Sequence, residues 1–512
     1  MVNESTLFKS NNQHTPSFDV QDVRYHPSNG GEFTVSKSPY IEIPLTICKN
    51  GFLNPGRTVL NMNWVAKVTG TASTGTYRLF STVAGSHALI DRVCVYQGSN
   101  LLEEVSDWNR AFTTSSVLYT NPSQAKGNGS VRDSSLCSNF DSHYSSTAVS
   151  SLNISTAWNR ATGKSISDES TLPTSIDTQE CSLAFELSDL LGPGAEKLLP
   201  VGLANPIRVR IYITKDVEKV IYGMATGPSG VVASTYAGAD ITITNVSIDS
   251  QLITYDDETM NKMLASSGVS ENMKLRWSGT QVRCARAVTD YSSNVQAIVP
   301  NSQWTNLKAV VCAPFYPVMS KTGDNYANFG NGLYQAQMMI DGNPFPMEYV
   351  GNGSALEPGR SVSQLVMSAV NCNRRACEVY TANTSFIPWT STASTPVPWT
   401  TTNCNTSANT PPSATPTNSL FSAPPISGTA NSHFQTCGKS PPNFCYGFTL
   451  SDYCEGRVRR GQDTRARQVV LNLRQSNTIP ANSNACSTLC IQYVGVEYEL
   501  DLQNGTIRSI LE

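Results

Sequence analysis

A chain of 512 residues is too long for one ordinary hydrophobic core, and two units of about 200 residues each is the natural division. Only 15% of its residues are charged, against roughly 25% in an average soluble protein, and Ser, Thr, Asn, Gly and Pro take their place. A formal net charge of −3 argues against a general nucleic-acid binder, which is normally basic, and no run of about 18 apolar residues is present to form a membrane-spanning helix.

The first stretch, "MVNESTLFKSNNQHTPSF", has neither the basic nor the apolar region of a secretory signal, so an intracellular origin is expected. Asn-x-Ser/Thr triplets, for example at Asn128, Asn153 and Asn383, then follow simply from the Asn/Ser/Thr richness. Residues 1–38 are polar and aperiodic and read as an N-terminal arm. The first sandwich is expected over 39–256. "YIEIPLTIC" (40–48) sets Ile41, Ile43, Leu45 and Ile47 on one face. "LNMNWVAKV" (60–68) alternates Leu60, Met62, Trp64, Ala66 and Val68 with Asn61, Asn63, Val65 and Lys67. Period-two alternation marks strands with one face on a core.

"DRVCVYQGSNLLEEV" (91–105) has a Gly-Ser-Asn turn between apolar runs, the signal of a hairpin. "SDWNRAFTTSSVL" (106–118) reads as a short helix capped by Ser106 or Asp107. Residues 120–179 carry too few apolar side chains for a core and predict a large surface loop. Strands follow in "CSLAFELSDLLG" (181–192), "IRVRIYIT" (207–214) and "ADITITNVSIDSQLIT" (239–254).

The second half (257–512) runs through the same order. "MKLRWSGTQVRCARAV" and "TNLKAVVCAPFYP" supply early strands, and "LYQAQMMIDGNPFPMEYV" (333–350) is a hairpin about Asp341-Gly342-Asn343. "SVSQLVMSAVN" (361–371) reads as a short helix, and the Ser/Thr/Pro-rich stretch 383–443 as a large insertion. "FCYGFTLSDYCEG" then echoes the earlier strand: "FTLSD" at 448–452 repeats "FELSD" at 185–189. Each copy is expected to open a strand returning to the core, with Phe185, Leu187, Phe448 and Leu450 facing inward. The last strand, "YVGVEYELDL" (493–502), alternates Val494, Val496, Tyr498, Leu500 and Leu502 with Gly495, Glu497, Glu499 and Asp501. The shared order of elements, more than the pentapeptide, predicts two similar units in tandem. The predicted class is all-β: two tandem eight-stranded antiparallel jelly-roll sandwiches with short helices and long loops.

Chemistry-bearing patterns are sparse. Of five histidines only His87 adjoins a core strand, and no metalloprotease, phosphate-loop or nucleophile-elbow motif occurs. Glu103/Glu104 and Asp256/Asp257 are adjacent pairs that would point to opposite faces of strands, so they do not converge as acid–base partners. No catalytic, cofactor or metal site is predicted. The 14 cysteines lack zinc spacing. Cys94, Cys312 and Cys490 read as buried thiols, while a disulfide among Cys437, Cys445 and Cys454 stays open. One basic cluster stands out, Arg457, Arg459, Arg460, Arg465 and Arg467 in "EGRVRRGQDTRARQ". It reads as a solvated loop or a subunit contact ahead of a phosphate-facing patch, because the rest of the chain has no basic bias.

These stretches carry a resemblance. "VCVYQGSNLLEEVSDWNRAF", "LLPVGLANPIRVRIYI" and "YGFTLSDYCEGRVRRGQDTRARQVVLNL" resemble corresponding segments of the double jelly-roll major capsid proteins of eukaryotic DNA viruses, the group of large nucleocytoplasmic DNA viruses, virophages and polinton-like viruses. The likeness spans most of 38–512 and departs from the algal and amphibian virus versions where Arg replaces more usual polar residues in 455–468. The resemblance implies a late structural protein without enzymatic activity or cofactor. It implies a pseudo-hexagonal homotrimer tiling an icosahedral shell, with 120–179 and 383–443 as outward loops and the arm at the inner base. Implied partners are copies of itself, neighbouring capsomers and penton proteins, with the arm contacting minor capsid proteins or an internal membrane, and no sequence-specific nucleic acid. The implied location is the virion, made and assembled inside the host cell. Two other readings fit a tandem sandwich: a minor virion protein (vertex or spike), and a secreted carbohydrate-binding protein.

Overall fold

The computed structural model describes residues 18–45, 49–69, 76–80, 84–119, 178–186, 198–227, 230–234, 238–266, 273–290, 295–315, 326, 333–351, 365, 445–450, 453–454, 457–458, 461–475 and 485–510. In the first half the strands are β1 (Phe18–Tyr25), β2 (Glu32–Thr34), β3 (Tyr40–Leu45), β4 (Gly51–Thr69), β5 (Thr76–Phe80), β6 (Ile90–Gln97), β7 (Asn100–Ser106), β8 (Thr178–Glu186), β9 (Ile207–Ile213), β10 (Ile221–Gly227), β11 (Gly230–Ser234) and β12 (Gly238–Tyr255). Helix α1 (Trp108–Tyr119) follows β7, and helix α2 (Asp257–Ser266) leads into the second half. There the strands are β13 (Lys274–Asp290), β14 (Val295–Ile298), β15 (Leu307–Phe315), β16 (Leu333–Ile340), β17 (Asn343–Val350), β18 (Tyr446–Thr449), β19 (Tyr453–Cys454), β20 (Arg457–Val458), β21 (Val469–Gln475), β22 (Ala485–Asp501) and β23 (Thr506–Ile510).

Each half builds two facing sheets with one strand order. In the first they are β1-β12-β4-β8 and β3-β9-β6-β7; in the second, β13-β22-β15-β18 and β14-β21-β16-β17. Numbering the eight main strands of each half in sequence, both halves read 1-8-3-6 and 2-7-4-5, the double Greek key of a jelly roll. Pairing is antiparallel throughout. Among the described residues no sheet mixes strands of the two halves. β2 and β23 extend the sheets at β12 and β22, and β11-β10-β5 forms a small additional sheet.

The alternation read from sequence accounts for the cores. In β3, Ile41, Ile43 and Leu45 are buried, and in β9 Ile207, Val209, Ile211 and Ile213 are buried while the residues between them are half-exposed. Leu60, Met62 and Trp64 of β4 face the same core. Burying side chains of this size stabilises by about 1.5–3 kcal/mol each. The two hairpins close on two-residue loops. Gly98 has φ +59 between Gln97 and Asn100, and Asp341 and Gly342 have φ +53 and +76 between Ile340 and Asn343. Positive φ at these positions gives turns whose twist matches the strands.

Four readings are corrected. The arm of 1–38 is sheet from Phe18 onward: β1 pairs along its length with β12, and Phe33 of β2 is buried. β1 is an edge strand exposed on both faces over most of its length, so no alternation betrays it. Asp256 and Asp257 are not on a strand but start α2, where the Asp256 carboxylate accepts the Thr259 N–H at 2.6 Å as an N-cap. The pentapeptide echo closes its strands rather than opening them, since Phe185 and Phe448 lie near the ends of β8 and β18. Those strands are nevertheless equivalent, each the sixth of its half, pairing with the third strand at Leu60 and at Val310. Phe448 and Leu450 are buried as expected; the side chain of Phe185 and residue Leu187 lie outside the described residues. Finally, Cys445 is a buried thiol outside any disulfide, which removes it from pairing with Cys437 or Cys454. The loop expected over 120–179 lies outside the described residues up to 177, with β8 beginning at Thr178. The insertion at 383–443 lies outside them entirely, as does 361–371 apart from the helical, buried Leu365.

Candidate assembly surfaces

The two sandwiches meet edge to edge. β7 ends one sheet of the first half and β13 ends one of the second. Gln281 donates from Nε2 to the Leu102 carbonyl at 3.0 Å, Arg283 from Nη1 to the Glu104 carbonyl at 3.4 Å, and Arg286 from Nε to the Asp107 carboxylate at 2.9 Å. All three pairs are 179 residues apart, so the two edges run side by side in one direction. Side chains thus occupy edge carbonyls that would otherwise invite a foreign strand. Asp107, expected as a helix cap, is at the start of α1 with φ +51, and its carboxylate is engaged by Arg286.

A second tie joins the far ends of the chain. Buried Gln97 donates to the carbonyls of Asn205 at 3.1 Å and Gly505 at 2.9 Å, and its Oε1 accepts the Ile507 N–H at 2.6 Å. Gly505 has φ +65, and a Cβ there would meet the Asn205 side chain and backbone at 3.0–3.2 Å. The third contact is α1 itself. Asn109 donates to the Tyr326 hydroxyl at 3.3 Å, and the Arg110 guanidinium sits 3.8 Å from the centroid of the Phe315 ring. Ala111 packs into a cluster with Ala309, Val311, Ala313, Phe315, Leu489, Ile491 and Tyr493, the outer face of β15 and β22. That face of the second half is therefore sealed.

The corresponding face of the first half is open. On β1, Phe18 and Val20 are 53% and 44% exposed, with Asp22 and Arg24 beside them. Their register partners on β12 are Tyr255, Ile253, Gln251 and Asp249, and β4 adds Phe52 and Asn54. Phe18 and Phe52 both contact the Tyr255 ring, with centroids 6.2 and 5.5 Å away. An ion pair spans strands 1 and 8 in both halves at directly opposed positions. Arg24 binds Asp249 at 2.7 Å, and Arg276 and Lys274 bind Glu499 at 2.6 and 2.8 Å. The Arg24 hydrogen bond holds the Asp249 carboxyl below the usual range, and the Lys274 and Arg276 hydrogen bonds do the same for Glu499.

Of the predicted basic cluster, the structure describes the side chains of Arg465 and Arg467, both exposed. Arg457 lies on β20 of a small ribbon with its side chain undescribed, and Arg459 and Arg460 fall outside the described residues. The loop is pinned at its C-terminal side. Gln462 and Leu307 exchange backbone hydrogen bonds at 2.9 Å, and Thr464 donates its N–H to the Trp304 carbonyl at 2.7 Å. Arg465 is bound to Asp463 at 2.7 Å, and its side-chain hydrogen bond pulls the Asp463 carboxyl down to about 2. Arg465 is thus neutralised locally, while Arg467 is at the exposed turn.

Cys94, Cys312 and Cys490 are buried thiols outside any disulfide, as read from sequence, with Cys312 and Cys490 facing each other at 3.9 Å across β15 and β22. Burial pushes the Cys94 and Cys284 thiols up, away from the reactive thiolate. His87 is buried and stacks on Phe112 with centroids 3.4 Å apart. Sequence reasoning missed Gln97, Gln281 and Arg283, polar residues inside otherwise regular strands; the residues that they bind lie 108 to 410 positions away.

No protein-family model and no curated protein sequence matches the chain. Solved structures do. The chain is similar to a chain of the Sputnik virophage cryo-EM structure, with 10% identity, a TM-score of 0.53, and 100% of this chain and 92% of that one covered. It is also similar to the Faustovirus major capsid protein, with 8% identity, a TM-score of 0.50, and 96% and 92% covered. With the repeated strand order of both halves, these matches establish that the chain has the double jelly-roll fold found in viral major capsid proteins.

Proposed function

We propose that this chain is a major capsid protein, whose homotrimer forms a pseudo-hexagonal capsomer that tiles an icosahedral virion shell. The observation that carries the reading is the pair of sandwiches with one strand order, locked edge to edge within one chain. Two alike units per chain let three chains present six alike units, which is the geometry of hexagonal tiling. A low charge content favours the close packing that tiling demands, because uncharged surface is cheap to desolvate.

The two long excursions support this reading by position. One lies between α1 and β8 and the other between β17 and β18, so each links the fifth and sixth strands of its half. In the proposed capsomer both leave the same end of their sandwiches and form the outward loops. Residues 1–17, ahead of β1, lie at the inner base and meet minor capsid proteins or an internal membrane, and penton proteins fill the vertices. The loop with Arg457, Arg459, Arg460, Arg465 and Arg467 serves as a subunit contact, a role suited by the existing Arg465–Asp463 pairing. The protein acts without catalysis, in the virion, after synthesis in the host cell.

Protein stoichiometry in purified particles tests this reading. The expected result is the most abundant virion protein and, in negative-stain images of the isolated protein, a hexagonal outline with threefold symmetry. A few copies per particle would assign the chain to a vertex or spike instead.

A further inference from the structure

The contact between the sandwiches within the chain predicts a contact between chains. Inside the chain, the fifth strand of the first half (β7) lies along the first strand of the second (β13), and α1, which follows β7, packs against the outer face of β15 and β22 through Arg110 and Ala111. Both partners of this contact exist twice. β17 is the fifth strand of the second half and β1 the first strand of the first. Yet β1 pairs only with β12 among the described residues, and its Phe18 and Val20 stand exposed.

We infer that the outer face of β1, β12 and β4 is the docking surface for a second copy of this chain, whose β17 lies along β1 as β7 lies along β13. This inference rests on the trimer proposed above and gives it an address: Phe18, Val20, Phe52, Gln251, Ile253 and Tyr255. The occupant is a second copy because the chain already shows what covers the equivalent face in its other half. Three further features fit this assignment. The exposed apolar end gains from burial, at about 25 cal/mol per Å² of apolar surface covered. Among the described residues β1 is an uncovered edge strand, in a molecule that covers its other junction edge with side-chain hydrogen bonds. The contact is heterologous, and a head-to-tail contact that repeats the internal one closes into a ring when six sandwiches, from three chains, are present.

Sedimentation velocity on a Val20→Asp/Gln251→Arg double variant tests the assignment. Both residues are on the sheet surface, so circular dichroism is expected to match the unaltered protein while the mass falls from three chains to one. A folded double variant that remains a trimer overturns the docking surface but leaves the trimer standing; an unaltered protein that sediments as a single chain overturns the trimer itself. A Val20→Cys variant covers the case in which the double variant does not fold. Position-resolved maleimide labelling of the introduced thiol is expected to be at least tenfold slower in the assembled protein than after dissociation, and equal rates contradict the contact.

Discussion

The two 1-8-3-6 sheets have the same strand order and the same ion pair across strands 1 and 8, yet their outer faces differ. Leu489, Ile491, Tyr493, Val311 and Phe315 make the face of the second half apolar, and Ala111 of α1 packs against it. The matching face of the first half carries Asn54, Asn61, Asn63, Thr242 and Thr244, all partly exposed, with apolar side chains gathered at the β1 end. A contact made once, during folding of one chain, tolerates a fully apolar surface. A face that must stay soluble until another chain arrives needs polar groups over most of its area. Under the proposed assembly, the difference between the faces is a difference between folding and assembly.

The sharpest way to break this comparison is to truncate one residue on each face. Ile491→Ala is expected to cost about 2–5 kcal/mol, the range for emptying a packed aliphatic site. Thr244→Ala should stay within about 0.5 kcal/mol, as surface changes do. Urea unfolding of the two variants measures both, and equal losses would erase the distinction. Next in size is Gly505→Ala, which forces a side chain into φ +65 against Asn205. It is expected to cost roughly 1–3 kcal/mol and to speed hydrogen exchange at the Ile507 amide, which Gln97 holds.

A smaller effect lies in acid. Glu499 is held below its ordinary value of 4.5 by Lys274 and Arg276. Its contribution is therefore fully present above pH 4.5 and is lost as pH falls through the lower folded value. Glu499→Gln should flatten that limb of the stability–pH curve. Asp249→Asn should flatten it less, because the Arg24–Asp249 pair is more exposed to solvent. The smallest effect is expected at Arg465→Ala: an exposed pair two residues apart should leave the Tm of the isolated chain unchanged.

Much of the fold is legible in sequence where one face of a strand is wet and the other dry. Ile41, Ile43 and Leu45, the run Ile207–Ile213, and Leu60, Met62 and Trp64 all declare themselves by alternation. β1 does not, because an edge strand with both faces near solvent has no reason to alternate. The stretch Ser487–Val494 is buried on both faces, so its polar and apolar side chains do not alternate and the outer contact is hidden. Helix α2 could have been found: Asp256 caps it, Asp257 and Glu258 occupy the first turn, and Glu258 pairs with Lys262 one turn on. The ties at Gln97 and Gln281 could not, since glutamines within strands give no sign of partners more than 100 residues away.

The central claim, that two alike sandwiches per chain build a six-sandwich capsomer, is most directly tested by the mass of the purified protein in solution. Size-exclusion chromatography with light scattering is predicted to give three times the 55.4 kDa chain mass, unchanged on dilution. A single species at 55.4 kDa would contradict it.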